Sequence, residues 1–120
     1  MIAYLWVFIG GGLGSICRFG VSQMVESSNS SFPWATLVAN ATSCIILGYL
    51  MGIMLKAPPS TMWRLLLTTG FCGGFSTFST FSAETLLLFQ TGQHVNALLN
   101  IAGSLLIGLI GIFIGLKIAV

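Results

Sequence analysis

Charge is what this chain most lacks. Only 5% of its 120 residues are Asp, Glu, Lys or Arg, against about a quarter in soluble domains. Four basic and two acidic side chains leave a formal net charge of +2. They are too few and too scattered to form a basic patch, so no nucleic acid or other polyanion is implied as a partner. There is no aspartate, and the two glutamates are Glu26 and Glu84. A single histidine, His94, falls in a loop with no nucleophile, base or metal cluster beside it, which excludes the usual enzyme constellations. The three cysteines, Cys17, Cys44 and Cys72, are odd in number and embedded in apolar runs. They cannot make a complete disulfide framework, lack metal-ligand spacing and read as small packing residues.

Hydrophobic residues make up 56% of the chain, and its mean hydropathy is +1.02. Such a composition belongs to an all-α integral membrane protein. At about 20 apolar residues per span, the sequence divides into four transmembrane helices over 3–25, 33–55, 62–90 and 95–119. Short connections leave no room for a soluble domain, so 1–120 reads as a single four-helix unit. The start, Met1-Ile-Ala-Tyr, carries no basic region ahead of the apolar run, so the first span is expected to be retained rather than cleaved. Between the first two spans lies Glu26-Ser-Ser-Asn-Ser-Ser-Phe-Pro33, suited to an interface loop with Pro33 opening the next helix. The other connections are Lys56-Ala-Pro-Pro-Ser-Thr61 and Thr91-Gly-Gln-His94.

The third span has the wrong length and the wrong vocabulary. An unbroken helix over 62–90 would measure about 43 Å at 1.5 Å per residue, against about 30 Å of hydrocarbon. Its middle, Gly70-Phe-Cys-Gly-Gly-Phe-Ser-Thr-Phe-Ser-Thr-Phe-Ser82, is written in glycines, hydroxyls and phenylalanines rather than leucines. Hydroxyl-rich or non-helical backbone at membrane depth is tolerated only where it is buried in protein or lines a wet cavity. Gly70, Gly73 and Gly74 therefore predict a helix interrupted in mid-membrane, its freed carbonyls able to bind a hard cation. A kinked, continuous helix packed through its glycines is the alternative. Beyond the break, Phe75, Phe78 and Phe81 recur every three residues, beside Ser76, Thr77, Thr80 and Glu84. Hydroxyls can donate to an anion, and a phenyl ring has a positive edge.

Other spans carry isolated polar residues that need an explanation. Arg18 would cost about 2.5 to 3.5 kcal/mol at a helix centre, and reads either as a snorkelling interfacial cation or as a vestibule charge. Asn40, among Val38, Ala39 and Ala41, must find hydrogen-bond partners, as helix glue or as a donor to an anion. Asn100 and Ser104 are one turn apart and share a face. Glu84 is expected near a helix end, at the interface. Glycine pairs four apart, Gly48 with Gly52 and Gly111 with Gly115, permit close helix packing. Small residues on several faces of each span exceed what a monomeric bundle needs, which predicts a homo-oligomer, most simply a dimer. Lys56, Arg64 and Lys117 lie on the side of the termini and Arg18 near the other. That bias favours termini inside but is small enough for insertion both ways.

Three stretches together resemble the Fluc family of fluoride channels, also called CrcB-like proteins. They are Gly11-Gly-Leu-Gly-Ser-Ile-Cys-Arg-Phe19, Pro33-Trp-Ala-Thr-Leu-Val-Ala-Asn40 and Gly70 through Phe81. The last is highly specific, and the resemblance covers essentially the whole chain. It implies a passive, fluoride-selective channel of the cell inner (plasma) membrane, built as an antiparallel, dual-topology homodimer. Two fluoride pores and one structural, central sodium ion (Na+) would belong to that dimer. By position, Phe78 and Phe81 would present ring edges to fluoride, Asn40 its amide at the constriction, and Thr80 and Ser104 pore-lining hydroxyls. Arg18 would stand at the vestibule, and the backbone carbonyls of Gly73 and Ser76 would hold the sodium. Ala35, Ser76 and Asn100 depart from the family pattern, with Asn100 standing where many members have tyrosine. The competing reading is a small dual-topology multidrug or cation exporter, which needs a protonatable carboxylate deep in the membrane.

Overall fold

The computed structural model describes residues 1–25 and 29–120; Glu26, one of the two glutamates expected at helix ends, lies outside them. The described elements are helical: α1 (Ile2–Val25), α2 (Trp34–Lys56), α3 (Thr61–Arg64), a π-helix (Leu65–Cys72), α4 (Gly73–Phe75), α5 (Phe78–Gln90) and α6 (His94–Ala119). Three of these, α1, α2 and α6, are long and apolar enough to cross a membrane. Their bounds fall within a residue or so of the expected spans. Pro33 is the residue before α2 rather than its first helical residue. Its carbonyl still accepts the first helical bond, from the Leu37 N–H at 3.1 Å.

The expected 62–90 span is two pieces. The first, 61–75, joins α3, the π-helix and α4 end to end. The second is α5, whose 13 residues reach only about 20 Å. Between them Ser76 and Thr77 are extended, with φ/ψ of −78°/159° and −149°/115°. The interruption thus comes after the glycines, not at them. Gly70 and Gly74 lie within helical backbone and serve packing instead: their faces meet the backbone of Gly10 and Gly11 on α1. Gly14 does the same from the other side, since a Cβ there would run into the Phe71 carbonyl oxygen.

Packing follows from those close approaches. α1 lies against the 61–75 piece and α2 against α6. The second pair also meets backbone to backbone, with Gly48 against the Ile112 carbonyl and Gly115 against that of Ile45. α5 leans on α6, to which Gly92, at φ +78°, turns the chain back. Large apolar side chains such as Leu5, Phe8, Leu98, Leu106 and Phe113 point outward. Beside a few large residues, Leu37, Phe75 and Leu88, the buried positions are mostly small or polar, among them Gly10, Gly14, Ala39, Ser43, Thr85, Ala97 and Asn100. Small and polar inside with large and apolar outside suits a lipid solvent, where close packing and interhelical hydrogen bonds replace hydrophobic burial.

Candidate functional site

The break at Ser76–Thr77 is where most of the interhelical side-chain hydrogen bonds converge. An interrupted helix leaves carbonyls without donors at one end and N–H groups without acceptors at the other. Here several are met by side chains from α1 and α2. The Cys72 carbonyl takes three donors at 3.0 Å each: the Ser76 N–H, the Ser76 hydroxyl and the Ser43 hydroxyl of α2. Asn40 straddles the gap, accepting from the Thr77 N–H at 2.7 Å through Oδ1 and donating from Nδ2 to the Thr77 carbonyl at 3.2 Å. From α1, Ser15 donates to the Gly74 carbonyl at 3.5 Å and Arg18 Nη1 to that of Ser76 at 3.4 Å. Carbonyls at the break are therefore less bare than the sequence implied. Gly73 keeps an open side, where an added Cβ would meet nothing within 4 Å.

Thr77 then starts α5. Its hydroxyl accepts from the Thr80 N–H at 3.2 Å, the N-cap contact that threonine makes well. The same hydroxyl donates to Thr80 Oγ1 at 3.0 Å and lies 3.3 Å from Ser79 Oγ. Phe75 does not continue the phenylalanine stripe. It is buried before the break with its ring 5.7 Å from Phe71, whereas Phe78 and Phe81 follow the break and pair with each other at 5.7 Å.

α5 presents two different faces. Thr77, Thr80 and Glu84, at helical spacing, line a cavity of about 730 Å³ together with Ser15 and Arg18. Phe78, Phe81 and Thr85 line a separate apolar groove of about 480 Å³ against Ile101 and Leu105 of α6. Phe78 is 79% exposed, so the groove is open toward the outside of the chain. Of the residues expected at the site, Arg18, Thr80, Phe78 and Phe81 line one or other opening. Asn40 and Ser104 line neither: Asn40 holds the break, and the Ser104 hydroxyl donates to Asn100 Oδ1 at 3.4 Å.

Glu84 is not at an interfacial helix end. It sits in the middle of α5, facing the cavity, with Oε1 accepting from the Thr36 hydroxyl of α2 at 2.8 Å and Oε2 buried without a partner among the described residues. The misplacement has a simple source: with the helix restarting at Phe78, Glu84 is two turns into a new helix rather than close to the end of an old one. Sequence reasoning also missed Ser43, Thr36 and Thr85. Thr36 and Ser43 are readable in hindsight, four residues before and three beyond Asn40 and thus on its face; Thr85 carries no such sign.

The sequence comparisons agree with the motif stretches. The family model described as "CrcB-like protein, Camphor Resistance (CrcB)" matches residues 5–116. A protein of Pyrococcus abyssi (strain GE5 / Orsay), called a fluoride-specific ion channel FluC, is 40% identical over 116 residues, covering 96% of this chain and 94% of its own length. One of Thermus thermophilus with the same name is 42% identical over 119 residues, 98% of this chain and 95% of its own. Another, of Serratia proteamaculans (strain 568), is 43% identical over 111 residues, 88% and 87% of the two chains. A match that runs through α1, the break and α6 alike is a match of the whole architecture, and the chain belongs to the CrcB-like family.

Proposed function

We propose that this chain is a fluoride-selective channel that lets fluoride leave the cell passively across the inner (plasma) membrane. The observation that carries the reading is α5: a helix restarted by Thr77, with hydroxyl donors on one face and a phenyl pair on the other. Fluoride is small and strongly hydrated, so a narrow path must replace its water with donors before it can conduct, as carbonyls do for potassium. Thr80, the Asn40 amide and the ring edges of Phe78 and Phe81 can do so without a fixed positive charge that would trap the ion. Ser104 joins them if it releases Asn100. Arg18, in the wide cavity, attracts anions to the entrance.

In this reading 61–75 and α5 together make the fourth crossing, with the break at mid-membrane, and the working unit is an antiparallel homodimer with two pores. Phe78's exposure supports a second copy, because a lone chain leaves the phenyl groove without a far wall. A central sodium ion fits the donor set in kind, since hard cations take oxygen ligands. The Gly73 peptide is reachable, and the Ser76 carbonyl, bonded to Arg18, retains a second lone pair. Two carbonyls are too few, so the same pair from a second copy would complete the set. Bound there, sodium would supply a stationary positive charge and tie the copies together.

Glu84 keeps a second reading alive. A half-buried carboxylate facing a cavity is the group a proton-coupled multidrug or cation exporter requires. Liposomes loaded with fluoride separate the two. The channel releases fluoride without a proton gradient, and chloride-loaded liposomes stay tight. Release that needs a proton gradient makes the protein an exchanger.

A further inference from the structure

The α5–α6 contact contains a polar residue that nothing in the pathway described so far requires. Asn100 is the largest side chain with under 2% of its surface exposed. It stands one turn past Ala97, also buried, and faces the buried Thr85 of α5. A carboxamide at such a position costs stability unless its hydrogen bonds are made.

Three bonds run through it in one direction. Thr85 donates its only hydroxyl hydrogen to the Phe81 carbonyl at 2.7 Å. Its oxygen can then only accept from Asn100, and the Asn100 Nδ2 donates to it at 2.9 Å. That orients the amide so that Oδ1 faces Ser104, whose hydroxyl donates to it at 3.4 Å. The chain of donors is Ser104 to Asn100 to Thr85 to Phe81, and reversing any member would leave two donors or two acceptors facing each other.

Both ends are groups assigned above to the anion path. At one end is the turn of α5 that carries the Phe81 ring; a hydroxyl bonded to the carbonyl four residues back bends a helix locally, and the bond from Asn100 holds Thr85 in that state. At the other end is a hydroxyl hydrogen that cannot serve Asn100 and an anion at once. We infer that Asn100 is a positioning residue of the pathway, setting the turn that aims Phe81 and holding the Ser104 hydroxyl in a long bond that an arriving anion displaces. The inference rests on the channel reading.

The test uses full-length protein in liposomes: wild type, Asn100→Leu, Thr85→Val, their double variant and Thr85→Ser. Maximal fluoride efflux per folded protein and the fluoride-to-chloride ratio are measured, with thermal unfolding as a check on folding. A buried partner left unsatisfied is expected to lower efflux roughly tenfold in each of the two apolar single variants. The double variant falls no further than the worse single, because the bonds act as one chain. Thr85→Ser, which keeps the hydroxyl, stays much nearer wild type than Thr85→Val. The fluoride-to-chloride ratio falls with efflux, a change that a merely structural role does not produce. Wild-type efflux and selectivity in Asn100→Leu, or fully additive losses in the double variant, overturn the inference. Should Asn100→Leu not fold, Asn100→Ala, smaller and equally unable to donate to Thr85, must show the loss; wild-type behaviour there overturns it too. Failure of the wild type itself to release fluoride sinks the channel reading instead.

Discussion

Asn40 does two jobs with one side chain. It gives the Thr77 N–H an acceptor and the Thr77 carbonyl a donor, at the one place where the helix supplies neither. A carboxylate of the same shape can accept but not donate, and it adds negative charge beside the proposed anion path. Asn40→Asp is therefore expected to abolish fluoride efflux and to cost about 1 to 3 kcal/mol in stability, read from liposome flux and from thermal unfolding in detergent. Efflux at the wild-type rate would remove Asn40 from the pathway. Phe81 makes a different kind of contribution. Its ring pairs with Phe78 on the groove, and no hydrogen bond depends on its side chain. Phe81→Ile keeps an apolar group but loses the positive ring edge, so we expect flux to drop while the unfolding midpoint hardly moves. Normal flux would show that the ring is packing alone.

At the scale of the elements, the glycines are the strongest determinants. Gly14 and Gly20 sit six residues apart on α1 yet differ in what surrounds them: a Cβ on Gly14 would strike the Phe71 carbonyl oxygen, and one on Gly20 would meet nothing within 4 Å. Gly14→Ala is expected to lower stability by about 1 to 3 kcal/mol through overpacking against backbone that cannot retreat. Gly20→Ala should be neutral or gain up to about 1 kcal/mol of helix propensity. Thermal unfolding of the two variants side by side checks the contrast; equal effects would mean that α1 and the 61–75 piece are not so close. The same backbone proximity explains why glycines in the third span misled as to the place of the break. Glycine breaks a helix in water, but between packed helices it is also the residue that lets them touch, and composition does not distinguish the uses.

The whole molecule is turned largely inside out relative to a soluble domain, with most leucine, isoleucine and phenylalanine side chains outward and small or polar residues such as Ala39, Ala97, Ser43, Thr85 and Asn100 inward. The open side of Gly73 and the exposed Phe78 fit that arrangement if a second copy covers them. The proposed central sodium would then have a measurable consequence. Replacing it on both sides of the membrane by a large organic cation is expected to reduce fluoride efflux and to favour dissociation in detergent, followed by flux and by light scattering. Unchanged flux and association after exhaustive exchange would argue that the Gly73 and Ser76 carbonyls hold no structural cation.

The sequence by itself determined the solvent, the three long apolar helices α1, α2 and α6 and the oddity of the segment between α2 and α6. Each of these follows from composition and length, which are properties of segments. The residues Arg18, Asn40, Thr80, Phe78 and Phe81 were also legible, because a polar or repeated aromatic residue in apolar surroundings demands an explanation wherever the chain goes. Tertiary structure alone decided that the break falls at Ser76–Thr77, that Glu84 faces the cavity, and that Asn100 of α6 meets Thr85 of α5. Those facts depend on which groups lie about 3 Å apart across 15 to 59 residues of sequence. A hydrogen bond is decided by geometry at that distance, and no periodicity along the chain encodes it.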